Sequence, residues 1–137
     1  MAWENVSLKD VSPTFEVMEA GDYDFQILPG AKLDDRNAIN VQLSIASDGP
    51  HKGRRVFISY PDPSQPNMGW SLGALKRLEQ SVGIDQGEGE GVLDYVQRLG
   101  EAFAKFNAPL AIREYQNSSG ETVKKNDVKL FKVKPAA

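Results

Sequence analysis

Between Gly21 and Ile27 every second residue is apolar: Tyr23, Phe25 and Ile27 alternate with Asp22, Asp24 and Gln26. This period of two predicts a half-buried strand. The pattern returns from Ala38 to Ala46, where Ile39, Val41, Leu43 and Ile45 alternate with Asn40, Gln42 and Ser44. Asp34, Asp35, Arg36 and Asn37 between the two runs are turn formers, so the pair reads as a hairpin. After a second turn, Ser47 to Pro50, a third strand is expected over Arg54–Tyr60, ended by Pro61, Pro63 and Pro66.

The period then changes. Ser71 reads as an N-cap, followed by Leu72, Leu75, Leu78 and Val82 at helical spacing and by Gly83 as the stop. Gln86 to Gly91 reads as a flexible acidic loop. Val92, Val96, Leu99, Phe103 and Phe106 predict a second helix over about 91–106. Both stripes are core-facing on the simplest reading. Alternation resumes at Leu110 and Ile112, opposed by Ala111, Arg113 and Tyr115, and Asn117 to Gly120 predicts a turn. The last run, Val128 to Val133, does not alternate cleanly, and a bulge is the expected reason.

Three strands, a helical excursion and two strands predict a mainly β, α+β fold. The order fits a five-stranded Greek-key barrel of the oligonucleotide/oligosaccharide-binding (OB) type, with its helices between strands three and four. The whole chain of 137 residues reads as one domain, with an N-terminal arm over 1–14 and the excursion over 61–107. Trp3 in that arm is a candidate for packing on a second subunit.

Composition narrows the chemistry. The chain has no cysteine, so disulfides, thiolate nucleophiles and cysteine metal sites are excluded. No apolar run is long enough to span a bilayer, and the first ten residues lack a signal-peptide pattern, so a cytoplasmic protein with no membrane partner is expected. The single histidine, His51, sits beside Pro50, and no phosphate-cradling Gly-Lys-Ser/Thr loop occurs. The carboxylate pairs Glu88–Glu90 and Asp34–Asp35 read as solvated. No enzyme, cofactor or metal is expected. The net charge of −3 opposes nucleic-acid binding, but it is unevenly spread. Residues 1–48 and 83–107 are acidic; residues 49–82 and 108–137 each carry a net +3. Folding can gather the two basic blocks into a stripe.

A series of short blocks resembles a family of phage-encoded single-stranded DNA-binding proteins with OB folds, long catalogued as uncharacterised. The blocks are Gly21, Tyr23 and Ile27; Lys52, Gly53, Arg54, Arg55, Val56 and Phe57; a helix from Trp70 to Ile84; Leu110 and Ile112; and Asn126 and Val128. They cover roughly residues 15–133. The resemblance implies a role in phage DNA replication or recombination, in the host cytoplasm, with phage or host replication or recombination proteins as further partners; a homo-oligomer is a separate expectation, resting on Trp3. The second helix is longer than the family pattern. The C-terminus lacks the acidic tail many such proteins use for recruitment, which puts that route in doubt.

Sequence-indifferent binding of single strands needs cations for phosphates and aromatic faces for bases. If Val56 and Ile58 face the core, then Arg55, Phe57 and Ser59 face outward beside Asn40, Gln42 and Ser44. Phe57 is then a stacking residue; a reversed register would bury it. Tyr60 shares parity with Val56 but ends the strand, where it can turn either way. Arg54 and Arg55 are candidates for phosphate contact. Arg113 and Tyr115 share a face. Lys124 and Lys125 are expected in the loop between the last two strands, which flanks the groove in OB folds. Arg36 is a weaker candidate, and Trp70 reads as a core staple at the helix start. The expected function is low-specificity single-stranded DNA binding; the alternative is an OB-type protein-interaction module without direct DNA binding.

Overall fold

The computed structural model describes residues 17–136. The expected arm over 1–14, Trp3 included, lies outside the described residues. Seven antiparallel strands and two helices make an α+β architecture. The strands are β1 (Gly21–Ile27), β2 (Lys32–Leu33), β3 (Ile39–Ile45), β4 (Arg55–Tyr60), β5 (Lys105–Gln116), β6 (Thr122–Val128) and β7 (Lys134–Pro135). Helices α1 (Trp70–Val82) and α2 (Val92–Glu101) stand between β4 and β5, where the excursion is expected.

The long strands run in the order β4–β3–β1–β5–β6. β5 thus returns across the helices to lie beside β1, pairing Gly21 with Leu110 and Phe25 with Phe106. The sheet does not close into a barrel: β4 pairs only with β3 and β6 only with β5 among the described residues. The expected five-stranded barrel is thus not closed, and a seam remains between the two end strands.

Alternation decides which side of each strand is buried. Ile39, Val41, Leu43 and Ile45 are buried, as are Val56, Ile58 and Tyr60. Phe25 stacks on Phe106 with ring centroids 5.5 Å apart, joining β1 to β5 at the centre of the core. Full burial of a side chain this size contributes about 1.5–3 kcal/mol relative to exposure. Leu75, Leu78, Val96 and Leu99 close the core from the helices.

Four local expectations change. The turn Asp34–Asn37 joins β3 to the short β2 rather than directly to β1. The Asp34 carboxylate accepts from the Arg36 and Ala38 amides and from the Asn40 side chain, and these bonds hold its pKa below the usual value. Helix α1 begins two residues early: Gly69 is the cap and Ser71 is buried in the first turn, its hydroxyl donating to the Met68 carbonyl. Leu72, read as core, is exposed because the buried face runs through Ser71, Ala74, Leu75, Leu78 and Ser81. Finally, α2 ends at Glu101; Phe103 is exposed beyond it and Phe106 belongs to β5.

The Gly/Glu loop is also not the loose segment expected. Glu90 is held by the Arg98 guanidinium at 2.8–2.9 Å and accepts the Gly87 amide, while Glu79 accepts the Gln86 amide. Tyr95 donates to the Ile84 carbonyl from below.

Candidate nucleic-acid interface

The pairing of β3 with β4 places Gln42 opposite Phe57, Asn40 opposite Ser59 and Ser44 opposite Arg55. Opposed residues share a face of the sheet. Arg55, Phe57 and Ser59 therefore stand together on the outward side, above half-buried Asn40, Gln42 and Ser44. Phe57 is 68% exposed, far more than the core aromatics.

Arg113 and Lys125 come from the other end of the sheet, where β5 and β6 pair them directly. The seam brings both ends to one cavity of about 640 Å³. Phe57, Ile58 and Ser59 of β4 line one wall; Lys125 to Val128 of β6, with Arg113, line the other. The volume is in the range of pockets that enclose small molecules.

Two segments complete the cavity. After Val128 the chain makes a 3-10 turn, Leu130–Lys132, before β7. The expected bulge is replaced by this turn. The Lys129 amide bonds the Pro109 carbonyl at 3.0 Å, and the Lys132 amide bonds the Lys129 carbonyl at 3.0 Å. Lys129, Phe131 and Lys132 thereby line the cavity. Trp70, the first residue of α1, also lines it, with its ring 5.2 Å from that of Phe131. Trp70 packs against the core as expected of a staple, but also presents a surface to the groove.

Asn126 lines the cavity too, yet its side chain is engaged elsewhere. Its amide accepts the Met18 N–H and donates to the Met18 carbonyl at 2.8 and 2.9 Å. It ties the backbone of residue 18 to β6 through a side chain. Among the described residues Asp127 is the one carboxylate in the lining, 3.5 Å from the Lys129 ammonium.

Other candidates fall elsewhere. Tyr60 is 2% exposed and keeps the parity of Val56 and Ile58, so its ring is in the core rather than on the groove. Burial drives its hydroxyl pKa well above the usual range. Arg54 lies in the turn before β4, where its amide bonds the His51 carbonyl. Lys124 and Lys125 are in β6, not in a loop, because the hairpin pairing extends to Gln116 and Thr122. The pleat sends Lys125 toward the cavity and sets Lys124 opposite Glu114, with 3.9 Å between charges. Tyr115 is exposed beneath the Arg113 guanidinium, 5.9 Å from its ring centroid, outside the cavity lining. Arg36 is exposed in the β2–β3 turn. His51 stands edge-on to Tyr23.

Asn40 stands beside Phe57 on the outward face as expected, whereas the grouping of Trp70, Lys129, Phe131 and Lys132 was not expected. A detectable signal was present: the broken alternation after Val128 coincides with three lysines and an aromatic ring within six residues. No family model matches the chain, and no curated protein matches it in sequence. Among the described residues, no helix is long and apolar enough to cross a membrane.

Proposed function

We propose that this protein binds single-stranded DNA with little sequence preference, through an OB-type Greek key left open at one seam. The topology supports the fold assignment. Taking the five long strands in chain order, the fourth returns beside the first while the first three lie consecutively, which is the Greek-key arrangement. OB barrels are partly open, and their helical connection falls between the third and fourth strands, where α1 and α2 stand here.

One observation carries the functional reading. The cavity between the sheet ends gathers three exposed or half-buried aromatic rings, Phe57, Trp70 and Phe131, with four cations, Arg113, Lys125, Lys129 and Lys132. Stacking platforms beside phosphate-binding charge are what a single strand needs, and neither element reads the edges of the bases. The chain's resemblance to phage single-stranded DNA-binding proteins agrees with this, and extends the proposal to a role in phage DNA replication or recombination.

Fluorescence anisotropy of labelled oligo-dT, at two salt concentrations and with duplex of equal length as control, tests the reading. Tight, salt-sensitive binding to the single strand and much weaker binding to duplex are expected. Absence of binding at low salt removes the proposal and favours a protein-interaction module on the same scaffold.

A further inference from the structure

The DNA path expected for an OB scaffold crosses the outward face of the sheet, here β3 and β4. On that face Gln42, Ser44 and Arg55 lie outside the cavity, and Phe57 is at its lip. The concave surface lies instead in the seam. Its floor is apolar, built by Ile58 and Val128, both buried core residues. Its far side is the Trp70–Phe131 pair, with rings tilted at 50° and Phe131 still 55% exposed.

This pair has a definite structural origin. The 3-10 turn projects Phe131 from the end of β6 toward the first residue of α1. Arg77 fixes the same junction, donating from Nε to the Val133 carbonyl at 3.0 Å. Phe131, between Lys129 and Lys132, joins Trp70 and Phe57 in one apolar patch rimmed by cations, the kind of contiguous patch that marks a binding groove and that suits a ligand both apolar and anionic. Stacked nucleobases on a phosphate backbone have both properties.

We infer that the strand threads the seam between β4 and β6, with one base on Phe57 at the lip and another against the Trp70–Phe131 pair inside. This rests on the proposed DNA-binding function and adds to it a second base position and a path. The ligand then bridges two sheet ends that do not pair with each other among the described residues. Asp127 is the carboxylate facing this path, and a phosphate approaching Lys129 displaces it from their ion pair.

The test pairs a binding readout with site-specific ones. In a Trp3→Phe background Trp70 is the sole tryptophan. As labelled oligo-dT saturates by anisotropy, Trp70 emission should be quenched over the same concentration range. The quenching should persist at saturation in Phe57→Ala. Phe131→Ala should weaken binding about 5- to 150-fold, the range for loss of one stacked base. On the unaltered chain, hydrogen exchange should slow at residues 56–60 and at residues 123–128 together. Binding with unchanged Trp70 emission, or with protection confined to β3 and β4, overturns the seam path and leaves the DNA-binding reading standing. No binding of any oligomer removes both.

Discussion

Phe57 and Tyr60 are three residues apart on one strand, and the pleat sends them to opposite sides. The consequences of removing each should be opposite too. Phe57→Ala removes an exposed ring, so the melting temperature should hardly move. Oligo-dT affinity should fall by about 1–3 kcal/mol if one base stacks there. Loss of cooperative unfolding instead would show that the ring supports the core. Tyr60 presents a buried hydroxyl with no hydrogen-bond partner among the described residues. An unsatisfied buried polar group costs about 1–3 kcal/mol. Tyr60→Phe should therefore keep or raise the melting temperature and leave oligo-dT affinity unchanged. A drop in affinity with the fold intact would return Tyr60 to the binding surface.

At the scale of elements, the α2 terminus shows why sequence spacing misled. Phe103 and Phe106 continue the helical stripe of Val92, Val96 and Leu99, yet the helix stops before them. The Ala104 amide bonds the Leu99 carbonyl at 3.0 Å and the Phe103 amide bonds the Gly100 carbonyl at 3.1 Å, closing a Schellman turn. Phe103 holds the left-handed position of that turn, with φ of 50°, where glycine is usual. The left-handed conformation costs an L-residue roughly 1–2 kcal/mol. Phe103→Gly should raise the melting temperature by removing that strain, as thermal unfolding can check. At Gly100 the sign reverses. A Cβ there would stand 2.5 Å from the Leu28 carbonyl oxygen, where α2 crosses the chain just after β1. Gly100→Ala should be destabilising by about 1–3 kcal/mol despite alanine's better helix propensity, as overpacking against backbone is hard to relieve.

The loop before α2 offers a pH test at the same scale. Arg98 and the Gly87 amide hold the Glu90 carboxyl at about 2, below its ordinary 4.5. A depressed carboxylate stabilises the folded loop above its unfolded pKa, and the effect is lost as pH falls through the folded value. Order in residues 85–91 should thus persist at pH 4 and fail toward pH 2. Arg98→Ala should move the Glu90 titration, followed by NMR, back toward 4.5. What the sequence made legible follows the same division between local and distant causes. The faces of β1, β3 and β4, the Gly83 stop and the outward set Arg55, Phe57 and Ser59 were readable because alternation is local. The turn after Val128 was not, since it depends on the bond from Lys129 to Pro109 and on β7 pairing with Phe106 and Asn107. The ordered Gly/Glu loop was hidden for a like reason: its anchor, Arg98, lies eight residues beyond Glu90.

For the molecule as a whole, the proposed function requires a chain of net charge −3 to hold a polyanion. The fold answers by placement: basic residues from 113 and 125–132 share one cavity with Phe57 of the other basic block. Charge at this site and stacking at this site can be separated by salt. Each phosphate neutralised on a single strand contributes about −0.7 to the slope of log K against log salt. If Arg113, Lys125, Lys129 and Lys132 each meet one phosphate, the seam supplies about −3 of that slope. Lys125→Gln should then weaken oligo-dT binding at low salt and reduce the slope's magnitude by about 0.7. Phe57→Ala should lower affinity at every salt concentration and leave the slope unchanged, because a ring releases no counterions. Lys124→Gln is the internal control: Lys124 lies across from Glu114 on the opposite side of β6, so its loss should alter the slope far less than that of its neighbour. Equal effects of the two lysines would mean that the protein acts through its general field and not through the groove, and would separate the site from the charge that surrounds it.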